Sequence, residues 1–159
     1  GMASKIAAAK IAGGAGCATI IAEGACAHPL AKIASGARAT LILAAETRER
    51  ARRQWIAGRL KPLGELAIDN GAAAALSRGS SLLPAGVTRV FGDFQRGDAV
   101  SIVDAAGAVI GQGLSAYSAM EIVVIAGKKS DEIEAILGYR RRPAVIEKND
   151  LVLKKQSHE

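Results

Sequence analysis

Hydrophobic and polar positions alternate most regularly between Gly64 and Tyr117, and the rest of the chain leads into or wraps around this stretch. Glu65-Leu-Ala-Ile-Asp69 has the two-residue period of a strand, and Asp69 or Asn70 is placed to cap an alanine-rich helix over Gly71–Arg78 that Gly79 ends. After the loop Gly79-Ser-Ser-Leu-Leu-Pro-Ala-Gly86 come three β-branched, apolar segments, Val87–Phe91, Ala99–Val103 and Ala108–Tyr117. In Asp104-Ala-Ala-Gly107 the Asp stands first and the Gly fourth, as a type I turn prefers. Short strands at this spacing around one small helix predict a barrel-like β module.

The first third reads differently. Met2–Ala15 predicts a short helix, and Cys17–Ala22 is an uninterrupted apolar run, the pattern of a strand buried on both faces. Pro29 suits the first turn of a second helix ending at Ser35-Gly36, and Thr40–Ala44 reads as a second buried strand. Helix, strand, helix, strand predicts the last part of a doubly wound α/β domain, because two strands alone do not make a parallel sheet. In Glu46–Arg53 the pairs Glu46/Arg50 and Glu49/Arg53 are four apart, which fits a solvated helix; a linker fits equally well. Trp55-Ile56 is expected to pack at the junction with the β module rather than to stack on bases.

Past the module, Met120–Ala126 predicts a short apolar helix. Ser130 is placed to cap another, with Asp131 and Glu132 at its positive end, Ile133, Ile136 and Leu137 as its buried face and Gly138 as its stop. Ala144–Ile146 and Leu151–Leu153, separated by a turn at Asn149-Asp150, are the short strands expected to close the barrel.

The order Glu65–Asp69, Gly71-Ala-Ala, Gly79–Val87 and Gly92-Asp-Phe-Gln-Arg-Gly-Asp98 resembles a PUA domain, a pseudo-barrel found in many RNA-modifying enzymes. More narrowly, it is similar to the PUA domain that ends bacterial glutamate 5-kinases. Gly1-Met-Ala-Ser-Lys5, Arg52-Arg-Gln-Trp-Ile-Ala-Gly58 and Lys129–Tyr139 extend the likeness over almost the whole chain. The fold expected is an α/β remnant, the helix-strand-helix-strand end of an amino-acid-kinase domain, followed by a mainly β PUA-like pseudo-barrel with short helices. The boundaries expected are 1–54 for the remnant and linker, 55–153 for the PUA-like part with its core at 63–140, and 154–159 for a polar tail.

The resemblance implies a parent enzyme that transfers the γ-phosphoryl group of ATP, with Mg2+, to the side-chain carboxylate of L-glutamate, the first step of proline biosynthesis. Gly1, Met2, Ala3, Ser4 and Lys5 match a motif whose lysine reaches the ATP phosphates from the start of a helix, where free N–H groups and the helix dipole also favour an anion. The resemblance also implies a kinase core ahead of residue 1 that carries the phosphate loop, the glutamate-binding residues and the acidic residues of the site. The fragment alone is therefore expected to be inactive, with no catalytic and no metal-binding residue of its own. One departure stands out: Val123 and Val124 occupy the place of an arginine pair usual in related kinases, so an exposed helix there favours a protein contact over RNA.

Charge narrows the partners. The net charge is +6, but residues 64–139 hold five Lys/Arg against nine Asp/Glu, so the basic excess lies in the flanks. An RNA-binding PUA module is therefore the weaker alternative for 64–139, Arg140-Arg-Arg142 reads as a solvated basic run, and a structural domain that mediates oligomerisation is the other alternative, with a homo-oligomer expected. Cys17 and Cys26 lack metal spacing and are expected as buried free thiols, and neither His28 nor His158 has a ligand partner nearby in sequence. Lys10, Glu23, Lys32 and Arg38 interrupt the apolar first third, so no membrane span is expected and the cytoplasm is the expected location.

Overall fold

The computed structural model describes residues 1–139 and 141–154, with only the backbone of Arg59. The chain divides into two compact units, the first Gly1–Arg52 and the second from Arg53 onward.

The first unit contains α1 (Met2–Gly14), β1 (Thr19–Ala22), α2 (Pro29–Ala34), β2 (Ala39–Ile42) and the first turn of α3 (Arg48–Arg59). The elements come in the expected order, but their packing departs from expectation in two ways. The strands pair antiparallel, Thr19 opposite Ile42 and Ala22 opposite Ala39, and α2 buries none of its residues, so it does not cover a sheet as a crossover helix does. Nor are the strands buried on both faces: Ile20 and Leu41 are more than half exposed, because a two-stranded ribbon has no second layer to hide them. Cys17 and Cys26 are free, as expected, but half-buried for the same reason. α1 buries only Ala9 and Gly13, and the Gly13 carbonyl accepts the Ala45 N–H at 3.2 Å. Of the expected ion pairs on Glu46–Arg53, Glu46 with Arg50 is formed at 3.3 Å, and helix replaces the linker alternative from Arg48.

The second unit is built on one five-stranded sheet in the order β4-β3-β5-β6-β7, with β3 at Gly64–Ile68, β4 at Val87–Gly92, β5 at Ala99–Val103, β6 at Val109–Leu114 and β7 at Leu151–Leu153. The central pair β3/β5 is parallel, with Leu66 opposite Ile102, both fully buried; every other pairing is antiparallel. The connection that allows a parallel pair contains α4 (Asn70–Ser77), a 3-10 turn at Pro84–Gly86 and the whole of β4. Asp69 caps α4 by accepting the Ala72 N–H at 2.7 Å. The β5–β6 hairpin turns where expected: Asp104 accepts the Gly107 N–H at its carbonyl and the Ala106 and Ala108 N–H groups at its carboxylate, with Gly107 at φ +83.

Two further helices complete the unit, α5 (Ala119–Ile125) and α6 (Ile133–Leu137). Ser118 and Glu121 form a capping box on α5 that the hydrophobic pattern does not reveal: the Glu121 carboxylate accepts the Ser118 N–H at 2.6 Å, and the Ser118 hydroxyl accepts the Glu121 N–H at 3.4 Å. Ser130 does not cap α6; its hydroxyl donates to the Pro143 carbonyl at 2.8 Å, and the helix starts three residues later. Ala144–Ile146 is buried but is not a strand; its main chain bonds to Leu82 and Ala116 instead, through a single bridge between Leu82 and Ile146. β7 does join the sheet, on the free edge of β6. One apolar core, including Leu66, Ile68, Leu76, Phe94, Ile102, Ile122 and Ile146, lies under these elements.

Candidate functional site

The five residues singled out for phosphate binding lie at the start of α1. Gly1 is the N-cap and Met2–Lys5 form the first turn, all exposed. The Ser4 hydroxyl turns back to donate to the Gly1 carbonyl at 2.8 Å, so it is occupied within the turn. Lys5 stands on a 13-residue helix whose first turn holds no acidic residue, so nothing there offsets the positive end of the dipole. The arrangement suits an anion: unpaired N–H groups at the helix start and one exposed lysine in the same turn.

The second candidate is the basic run, of which Arg141 and Arg142 are described. Arg140 lies outside the described residues, as does His158. Arg141 stacks over the Tyr139 ring with its guanidinium carbon 5.2 Å from the centroid, and the main chain of Arg142 is held by the Tyr117 hydroxyl. Trp55 is nearly half exposed, whereas its neighbour Ile56 is fully buried and accepts a hydrogen bond at its carbonyl from the Gln112 side-chain amide of β6. His28 is the N-cap of α2 and holds a left-handed backbone, φ 54. Among the described residues no three His, Cys, Asp or Glu side chains stand together as metal ligands, and no helix is long and apolar enough to cross a membrane.

Sequence reasoning missed a polar cluster at the head of α5. The Glu121 carboxylate accepts from the Ser118 hydroxyl at 2.9 Å and from the Tyr139 hydroxyl, joining α5 to the end of α6. The Ser-x-x-Glu spacing was the signal that could have found it.

Residues 64–137, which hold β3 to β6 and the helices α4 to α6, match the PUA domain family and are a PUA domain. The likeness reaches beyond that domain. Over 153 residues, 96% of this chain, it is 52% identical to a glutamate 5-kinase of Rhizobium rhizogenes, and equally long matches of 53% join it to the glutamate 5-kinase of Jannaschia sp. strain CCS1 and to glutamate 5-kinase 1 of Rhizobium meliloti. The chain corresponds to the C-terminal portion of glutamate 5-kinases. It spans about two fifths of the length of these relatives, 39%, 41% and 39% respectively. Among solved structures, a PUA domain from Aeropyrum pernix K1, crystallised as a tartrate complex, is 26% identical over 54% of this chain and 41% of its own, with a TM-score of 0.41.

Proposed function

We propose that this chain is the C-terminal part of a kinase that transfers the γ-phosphoryl group of ATP to the side-chain carboxylate of L-glutamate. The similarity to glutamate 5-kinases along 96% of the chain supports this reading above any other observation. Within the parent enzyme, the turn Gly1–Lys5 binds the nucleotide phosphates. The Lys5 ammonium neutralises charge on the transferring group, and the N–H groups of the first turn orient its oxygens. Phosphoryl transfer needs this positioning and positive charge more than covalent help from protein. The exposed Lys5 and the acid-free first turn fit that role. Among its described residues this chain groups no three His, Cys, Asp or Glu side chains that could hold Mg2+.

The remaining chemistry belongs to the longer protein, and the 159-residue chain alone is inactive. Hydroxylamine trapping of the acyl phosphate tests both statements. The intact parent should give hydroxamate that depends on ATP and glutamate, and the purified chain none. Hydroxamate formed by the chain alone would refute its dependence on a kinase core, and none from the parent would refute the reaction.

A further inference from the structure

Within the first unit, α1 is held near its C-terminal end. Ala9 and Gly13 are its buried residues, whereas residues 1–8, Lys5 among them, are all exposed. The hold is a close approach of main chain to main chain. The Gly13 carbonyl accepts the Gly16 N–H at 3.1 Å and the Ala45 N–H at 3.2 Å, and Gly16, at φ +77, lies against Thr47 and Arg48. A Cβ on Gly16 would stand 2.7 Å from the Arg48 N and Cα and 2.9 Å from the Thr47 carbonyl carbon. Those atoms are fixed by the start of α3: the Thr47 hydroxyl accepts the Arg50 N–H at 3.2 Å, and the Thr47 carbonyl accepts the Ala51 N–H at 2.9 Å.

We propose that Gly16 is a positioning residue for nucleotide binding: by letting the main chain of Thr47 and Arg48 close on the end of α1, it sets where the helix presents Lys5. This role rests on the reading that Lys5 meets the ATP phosphates. Lys5 lies eight residues before Gly13, about 12 Å along a helix. A helix is stiff over that length, so a shift imposed at its anchored end is carried to the lysine. A side chain at position 16 would have to retreat by roughly 0.7 Å to reach the 3.4 Å at which ordinary contact begins. Misplacement of a positioning group by about 1 Å costs up to about 10²-fold in rate. Glycine alone also takes the left-handed backbone there without strain.

The test uses the intact parent enzyme and the variants Gly16→Ala, Gly16→Asn and Gly36→Ala. Asn tolerates a positive φ, so Gly16→Asn brings the same Cβ with less backbone strain. Gly36 has φ +92 and nothing within 4 Å of a Cβ built on it, so Gly36→Ala carries the strain of a left-handed alanine without the clash. Both Gly16 variants should weaken binding of a non-hydrolysable ATP analogue in titration calorimetry and lower kcat/KM for ATP, each by about tenfold, with the KM for glutamate unchanged. Gly36→Ala should leave nucleotide binding and turnover as they are, and Gly16→Ala should have no further effect in a Lys5→Ala background. Normal binding and turnover in Lys5→Ala alone would sink the phosphate-binding reading itself. Impairment by Lys5→Ala but not by either Gly16 variant would sink the positioning role alone. An equal loss from Gly36→Ala, additive losses from Gly16→Ala and Lys5→Ala, or failure of both Gly16 variants to fold would make Gly16 a structural residue only and overturn that role.

Discussion

The hydroxyl of Tyr117 is bonded twice to the main chain of Arg142, donating to its carbonyl and accepting its N–H at 3.2 Å. Tyr117 is fully buried, and 25 residues separate it from its partner. This one phenol satisfies both backbone groups of Arg142 and fixes the entry to the buried segment Ala144–Ile146. Tyr117→Phe keeps the ring and removes both bonds, leaving two polar backbone groups short of a partner. The expected cost is about 1–3 kcal/mol, read as a lower urea midpoint at constant m. A variant as stable as the parent would mean that water replaces the hydroxyl at no cost.

Gly113 lies on β6 opposite Leu151 of β7, with Ile146 packed against it. A Cβ there would stand 2.6 Å from Ile146 Cγ2 and 2.8 Å from the Asp150 carbonyl oxygen. The second atom belongs to backbone and cannot rotate away. Gly113→Ala should destabilise the second unit by roughly 1–3 kcal/mol through overpacking and should speed proteolysis beyond Leu137. Limited proteolysis followed by mass spectrometry checks this; an unchanged cleavage pattern would show that β7 shifts freely.

Much of the second unit was legible. Period-2 patterning located β3 and β-branched apolar runs located β4 and β5, and Asp69 and the Asp104/Gly107 turn behave as their chemistry demands, because each acts on backbone within four residues. What was not legible depends on distant partners. The Leu66/Ile102 register is a parallel pairing that no local pattern encodes. Ser130 had a cap's spacing, but its hydroxyl is turned to donate to the Pro143 carbonyl, 13 residues on, and accepts no helix N–H as a cap would. An unbroken apolar run such as Cys17–Ala22 signals potential burial only, and whether a second layer covers it lies outside the run. The candidate site was legible in composition and position, as a lysine in the first turn of a helix, but its role came from resemblance and not from pattern.

Lys5→Ala in the intact parent enzyme should lower turnover by about 10²–10³, the usual loss when one stabiliser of developing charge is removed. Lys5 is exposed and α1 buries only Ala9 and Gly13, so the melting temperature should not move. Steady-state kinetics beside a thermal scan separates the two effects. Normal turnover would make Lys5 an ordinary surface lysine.

Retention of structured RNA by the full chain should be weak and salt-sensitive, and should reside in the basic flanks. Arg48→Glu/Arg53→Glu should abolish it at low salt, whereas Arg78→Glu/Arg89→Glu, on exposed positions of the acidic PUA domain, should leave it unchanged. Every phosphate that no longer meets a cation flattens the salt dependence by roughly 0.7–0.9 log units per log unit of salt. Filter binding at two salt concentrations decides. Tight binding at physiological salt that responds only to Arg78 and Arg89 would reverse the assignment.

The pairing of β6 with β7 also sets a timetable for synthesis. Leu114 leaves the ribosome 37 residues ahead of Leu151, and at about 5–20 residues per second that interval lasts roughly 2–7 s. For those seconds the nascent sheet presents β6 as an open edge, with its N–H and C=O groups unpaired and able to recruit strands from neighbouring polysome chains. Among the described residues β7 is the last strand made and the one that covers β6, so a premature stop between Ile146 and Leu151 releases the rest of the sheet with the β6 edge still unpaired.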